Sequence, residues 1–126
     1  MVISIPTLIA CCDNDAGKMH VEKLIDTHSW KRVIIISGDA NISSGLNLRG
    51  GNEKKIEFIT VNLRMPLPEV IEELHKKLSR RINDIDVAVN FFSGPGKLHM
   101  TMMSVLLKMG VGVRLVIVTP EGMREI

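Results

Sequence analysis

The chain has 126 residues, of which 45% are hydrophobic and 24% are charged, and its formal net charge is +2. This composition excludes a disordered chain and predicts one globular domain over residues 1–126, long enough to bury its own core. The small net charge argues against nonspecific binding to duplex nucleic acid. No apolar segment approaches the roughly 20 residues of a membrane span, so we expect no membrane association.

The amino-terminal segment and the two cysteines indicate the cellular compartment. Residues 1–10 carry no basic leader and include polar Ser4 and Thr7, which is not the pattern of a signal peptide. Cys11 and Cys12 are adjacent, a spacing that strains an intramolecular disulfide, and the chain has no other cysteine. We therefore expect a cytoplasmic protein.

The first part of the chain predicts two strands around one helix. An apolar segment over 2–12 predicts the first strand, and the turn 13–17 offers several helix N-caps. A helix follows to about His28. The second strand is predicted over 32–37, where residues 33–36 show no polar alternation. Such a strand is typical of a parallel sheet that helices cover on both faces.

Residues 38–55 interrupt this alternation of strand and helix. The segment contains four glycines and several Asn and Ser residues, and it shows no helical period. We predict a long mobile loop, and loops of this length in compact domains are often functional. Such a loop could close over a bound ligand and exclude water.

The second part of the chain returns to strand and helix. A strand over 56–62 precedes a helix that Pro66 and Pro68 open. The apolar residues of this helix fit a period of 3.6; they are Leu67, Ile71, Leu74, Leu78 and Ile82. The remaining predicted elements are a strand over 85–92, a helix over 96–109 and a strand over 113–118.

This order of elements predicts a three-layer α/β sandwich around a doubly wound, mostly parallel, five-stranded sheet, which is a Rossmann-like fold. Ligands of such sheets bind at the carboxyl ends of the strands, where the strand order reverses. The predicted ends are all small or polar: Cys12-Asp13-Asn14, Ser37-Gly38-Asp39, Asn62 and Ser93-Gly94. From the first two ends, the candidate ligand-binding residues are Cys12, Asp13, Asn14, Ser37 and Gly38.

The most informative motif is Ser93-Gly94-Pro95-Gly96-Lys97, called the 93–97 turn below. It joins a buried strand to the start of a helix, whose free N–H groups suit an anion, and its glycines let a phosphate approach the backbone. Lys97 adds a positive charge. We therefore expect a phosphate ester to bind all five residues of the turn. Leu98 stands where a Walker A motif has Ser or Thr, and an ordinary tight turn with an incidental lysine is the alternative.

Cysteine and histidine offer other chemistries. Cys11 or Cys12 could act as a nucleophile near a helix start, but no base accompanies them and Asp13 would raise a thiol pKa. Buried structural cysteines are the favoured interpretation. The four histidines show no metal-ligand spacing, so we predict no metal site. None of them is expected at the 93–97 turn.

Two features of the helices concern partners. Four basic residues cluster at one predicted helix end, where cations suit the helix dipole, and a solvated helix end is favoured over a nucleic-acid patch; they are Lys76, Lys77, Arg80 and Arg81. The helix over 96–109 is apolar almost all round and rich in methionine. Either burial within the monomer or a two-fold dimer partner could cover its outer flank.

A strand, the 93–97 turn, a long apolar helix, Gly110 and a final strand together resemble the signature of CARF domains, the CRISPR-associated Rossmann-fold sensors. The resemblance covers roughly residues 30–120. It implies a homodimer that binds a cyclic oligoadenylate, a nucleotide second messenger, in type III CRISPR antiviral signalling. No cofactor is expected. Most members of that family carry a second domain, so this chain is either a stand-alone sensor or a fragment.

The resemblance also implies roles for individual residues. Ser93, Gly94, Gly96 and Lys97 would contact ribose and phosphate, and the loop over 12–15 would face the ligand. That loop is acidic, which departs from the family pattern. If the protein is a ring nuclease that cleaves the ligand without a metal, Lys97 would stabilise the developing charge and Ser93 would orient the ribose. The rival function from another class is a small α/β enzyme with a cysteine nucleophile.

Overall fold

The computed structural model describes residues 5–39 and 56–126. The strands of this part of the chain are β1 (Thr7–Cys11), β2 (Arg32–Ser37), β3 (Ile56–Thr60), β4 (Asp86–Asn90), β5 (Gly112–Thr119) and β6 (Gly122–Glu125). Its helices are α1 (Asp15–Asp26), α2 (Leu67–Ser79) and α3 (Gly96–Met109). Most of the predicted loop over 38–55 lies outside the described residues, as do residues 1–4 of the first predicted strand.

The sheet confirms the predicted α/β fold and its doubly wound, Rossmann-like topology. The strand order is β3-β2-β1-β4-β5-β6, and the first five strands are parallel to their neighbours. The sixth strand pairs antiparallel with β5 through a short hairpin in which Thr119 Oγ1 donates to Gly122 O at 3.0 Å. This strand was not predicted, because Gly-Met-Arg-Glu has neither an apolar run nor clear alternation.

The helices cover both faces of the sheet, which explains why its strands are apolar on both sides. Leu8 and Ala10 of β1 pack in the cluster that contains the buried residues of α1. Ile9 and Cys11 of the same strand pack in the cluster that contains those of α2 and α3. Because successive side chains of a strand point to opposite faces, one strand serves both cores. Among the described elements, α1 covers one face and α2 and α3 cover the other, which gives a three-layer sandwich.

Several predicted bounds ran longer than the elements themselves. The strand predicted over 85–92 ends at Asn90, although Phe91 and Phe92 continue its apolar character. The Phe92 N–H donates to Asn90 Oδ1 at 3.1 Å, and this bond turns the chain out of the strand. By contrast, β2 and α3 have the predicted bounds.

None of the helices formed by the described residues has the length and apolar character needed to cross a bilayer.

Candidate functional site

The strand order places a crevice between the carboxyl ends of β1 and β4. From β1 the chain winds to β2 and β3 on one side, and from β4 it winds to β5 on the other. In open α/β sheets such a reversal is where ligands bind. The loop over 12–14 and the 93–97 turn border this crevice. These are two of the segments in which the sequence analysis predicted ligand-binding residues, and they lie together in the structure.

The Asp13 carboxylate links the ends of β1 and β2. Its Oδ1 accepts the Ser37 hydroxyl at 2.6 Å and the Gly38 N–H at 3.0 Å. The Asp39 N–H in turn donates to Ser37 Oγ at 2.9 Å. Asn14 has a separate task, because its Oδ1 caps α1 by accepting the Gly17 N–H at 2.7 Å. The polar residues predicted at these two ends are thus held together by their own hydrogen bonds.

Ser93 ties the 93–97 turn to β1. Its buried hydroxyl accepts the Asp13 N–H at 3.2 Å and donates to Cys11 O at 3.3 Å. The first turn of α1 approaches so closely that a Cβ built on Gly17 would come within 3.0 Å of Ser93 Oγ. These contacts give Ser93 a structural role, and its predicted contact with ribose stays a prediction.

Lys97 holds the connection between β3 and α2. Its Nζ donates to Leu63 O at 2.7 Å and also to Met65 O. An ammonium has three N–H donors, and both of these acceptors are neutral carbonyls. The ammonium therefore lies against these two carbonyls and has one N–H beyond the two bonds to them. The predicted phosphate contact of Lys97 is compatible with this geometry and stays a prediction.

The rest of the 93–97 turn presents backbone. Gly94 has φ 102°, a conformation that side chains rarely adopt. Pro95 is the N-cap of α3 and supplies no side-chain capping bond. A Cβ built on Gly96 would meet no atom within 4 Å, so the start of α3 opens to space in which a ligand could approach the backbone.

A second cluster beside the turn was not predicted from the sequence. Asn90 is fully buried, and its Nδ2 lies 3.1 Å from His20 Nε2 and donates to Val116 O at 2.8 Å. His20 Nε2 also accepts the Val118 N–H at 3.5 Å. The imidazole stacks on the Phe92 ring with centroids 3.9 Å apart and planes 1° from parallel. Because Nε2 accepts, the ring is neutral and its hydrogen is on Nδ1.

The expectation that no histidine lies at the 93–97 turn is wrong. The backbone carbonyl of Ser93 accepts a hydrogen bond from His99 Nε2 at 2.8 Å. The His99 ring also contacts Phe91, and His20 lies against Phe92 on the other side. The buried polar Asn90 inside an apolar strand was the sequence signal that could have pointed to this cluster, since such a group requires hydrogen-bond partners.

A groove of about 770 Å³ runs between α1 and the β5–β6 hairpin on the α1 face of the sheet. Its walls are side chains of α1, the Phe92 ring and the hairpin. The lining residues are Ala16, Met19, His20, Lys23, Thr27, Phe92, Val118, Thr119, Pro120 and Gly122. One of the lining residues, Phe92, directly precedes the 93–97 turn in the chain.

The two cysteines lie in the core. Both are fully buried. Burial raises the pKa of the Cys11 thiol far above its ordinary value, and the Asp13 charge adds to the effect. Burial, followed by Asp13, raises the pKa of Cys12 to about 11. Both thiols are therefore protonated at neutral pH, and the Cys12 side chain does not reach the crevice surface.

Other candidate sites carry little chemistry. Within residues 5–39 and 56–126, no cluster of His, Cys, Asp or Glu side chains could hold a metal ion. In the basic cluster of α2, Lys76 pairs with Glu72 at 3.3 Å and Lys77 with Glu73 at 3.0 Å. These ion pairs suit a solvated helix face.

Comparisons with protein-family models, curated proteins and solved structures find no match for this chain.

Replacing Gly17 with Ala should destabilise the protein. The added methyl group would overlap Ser93 and separate α1 from the 93–97 turn, a form of overpacking that costs about 1–3 kcal/mol. Gly96→Ala is the matched control, since it is also in the first turn of a helix but faces open space. We expect the control to change stability by less than about 1 kcal/mol, in the favourable direction. Equal denaturation midpoints for the two variants would contradict the packing described above.

His20 should make stability depend on pH. Burial, and secondarily the charge of Lys23, lower its pKa below the ordinary 6.5. The unfolded chain therefore binds the proton more readily, so stability is full above pH 6.5 and declines as pH falls through that value towards the folded-state pKa. Unfolding free energy measured between about pH 7.5 and about pH 5 should decline less for His20→Gln than for the wild type. If the two profiles were parallel, the pKa of His20 would be the same in the folded and the unfolded state, which would contradict this prediction.

Proposed function

We propose that this chain binds a cyclic oligoadenylate at the crevice between β1 and β4, as the resemblance to CARF domains implies. The observation that carries the proposal is the open space at Gly96, which directly precedes a lysine whose ammonium keeps one N–H beyond its bonds to Leu63 O and Met65 O. A phosphate there would meet the N–H groups of Gly96 and Lys97, since those of Leu98 and His99 donate to Pro95 O, and a cation whose described partners are neutral. Type III CRISPR antiviral signalling is the process in which such a ligand acts.

The acidic loop after β1 is compatible with an anionic ligand. Asp13 directs Oδ1 at the Ser37 hydroxyl and the Gly38 N–H, so its charge is stabilised by donors of the protein itself. Its backbone N–H is likewise bound to Ser93 Oγ. The carboxylate therefore links the ends of β1 and β2, and in this proposal the 93–97 turn binds the phosphate.

We further propose that the protein is a homodimer. Met100 and Leu107 of α3 are 61% and 68% exposed, and together with Met103 they follow the i, i+3, i+7 spacing of one helix face. Large exposed apolar side chains on one face are typical of an interface. A two-fold partner on this face would bring two copies of α3, and with them two 93–97 turns, towards one ligand.

The cysteine-nucleophile alternative has little physical support. A nucleophilic cysteine needs a thiolate and access to substrate. Cys11 and Cys12 are buried, and their pKa values are raised by burial and by Asp13. Ring-nuclease activity is the other alternative. It would have to free the Ser93 hydroxyl from Cys11 O, and we therefore expect binding without cleavage.

Lys97→Ala should weaken the binding of cyclic tetra- or hexa-adenylate. A hydrogen bond to a charged group contributes about 1.5–3 kcal/mol, which corresponds to a loss of roughly 10- to 150-fold in affinity by calorimetry. Lys108→Ala, at the exposed far end of the same helix, is the matched control and should bind like the wild type. Because Lys97 also holds Leu63 and Met65, the melting temperature of each ligand-free variant is measured in parallel.

The same samples distinguish binding from cleavage. After incubation with the ligand and EDTA, chromatography should recover the intact cyclic compound. Linear products that form with the wild type and are lost in Lys97→Ala would instead establish a ring nuclease. A folded Lys97→Ala protein that binds with unchanged affinity would remove Lys97 from the site, and a wild type that binds no oligoadenylate would refute the proposed function.

Sedimentation velocity tests the dimer. The wild type should sediment as a dimer of the 14.0 kDa chain at micromolar concentration. Leu107→Glu places a charge on the apolar face of α3 and should give the monomer. Arg80→Glu, an exposed charge reversal at the end of α2, is the control and should leave the dimer intact. A monomeric wild type would contradict the proposed assembly.

A further inference from the structure

The Phe92 ring packs against the His20 ring although 55% of the residue is exposed. Its backbone N–H is bound to Asn90 Oδ1, and its ring lies parallel to the His20 ring at 3.9 Å. An exposed aromatic side chain on a surface is usually free to change rotamer. Here the parallel ring pair, called the aromatic pair below, offers a flat surface at the wall of the groove.

The chemistry of the aromatic pair is that of a neutral stacking surface. His20 Nε2 faces the Asn90 amide and the Val118 N–H, which fixes the uncharged tautomer. No cation on the ring therefore competes for a stacked partner, while Lys23 adds a positive charge to the same groove. Flat, apolar faces with polar edges are a feature of nucleobases, and aromatic side chains bind them by stacking.

The groove has the size and position that one nucleotide requires. Its volume of about 770 Å³ falls within the 300–1,000 Å³ range of small-molecule sites. Met19 and Val118 give it apolar walls. Phe92 lines the groove and directly precedes Ser93, and Gly17 in the first turn of α1 packs against Ser93, so the groove approaches the start of the 93–97 turn. A phosphate on the turn and a base in the groove would be parts of one nucleotide.

We propose that the groove between α1 and the β5–β6 hairpin is the base site of the ligand, in which an adenine stacks on the aromatic pair. This inference rests on the proposed function and assigns to it a recognition element that lies outside the phosphate-binding turn. In this proposal the turn and the groove recognise different parts of the nucleotide. The 93–97 turn binds the phosphate, and Phe92 together with His20 distinguishes a nucleotide from other phosphate esters.

Substitutions of Phe92 test the inference with the cyclic oligoadenylate that the wild type binds more tightly. Phe92→Leu keeps an apolar side chain but removes the ring, and we expect its affinity to fall by roughly 5- to 150-fold. Phe92→Trp keeps a stacking face and should retain most of the affinity. Phe58→Leu, at an aromatic position on β3 that is 36% exposed, is the control and should bind like the wild type. Unfolding midpoints establish that each variant is folded.

A second readout detects stacking directly. The same cyclic ligand carrying one 2-aminopurine in place of adenine should lose fluorescence on binding to the wild type and to Phe92→Trp, but much less on binding to Phe92→Leu. If Phe92→Leu binds with wild-type affinity and quenches equally, the base site is refuted while the proposed function stands. If the wild type binds no oligoadenylate at all, the proposed function fails and the base site fails with it.

Discussion

The crevice depends on Asp13, where the ends of three strands meet. Its carboxylate accepts hydrogen bonds from Ser37 and Gly38 at the end of β2, and its N–H reaches Ser93 beyond β4. Hydrogen bonds to a charged group are stronger than those between neutral groups. A single residue after β1 thus links the end of β2 to the start of the 93–97 turn, while the aromatic pair is positioned separately by Asn90.

The parts of the fold that could be predicted are those with local causes. The bounds of α3 follow from Pro95 before it and from Gly110 after it, which adopts φ 72°. The ends of β1 and β2 were recognised because small polar residues follow buried apolar runs. The strand β6 lacked any such signal, since its pairing with β5 depends on a hairpin and not on its own composition.

The parts of the site that could not be predicted depend on strand order, which the sequence analysis left open. The partners of Lys97 are 34 and 32 residues away along the chain. His20 meets Asn90 across 70 residues and Val118 across 98. Nothing in the spacing of these residues indicates contact. The contact follows from the strand order: β1 lies between β2 and β4, and His20 of α1 therefore reaches Asn90 of β4.

The β5–β6 hairpin has a consequence for the size of the groove. One wall of the groove is α1, and the opposite wall includes Thr119, Pro120 and Gly122 of the hairpin. Deeper in the molecule, Val116 of β5 is buried in the same core as the apolar residues of α1. A longer turn between Thr119 and Gly122 would therefore change the dimensions of the groove while the packing of the sheet beneath it stays the same.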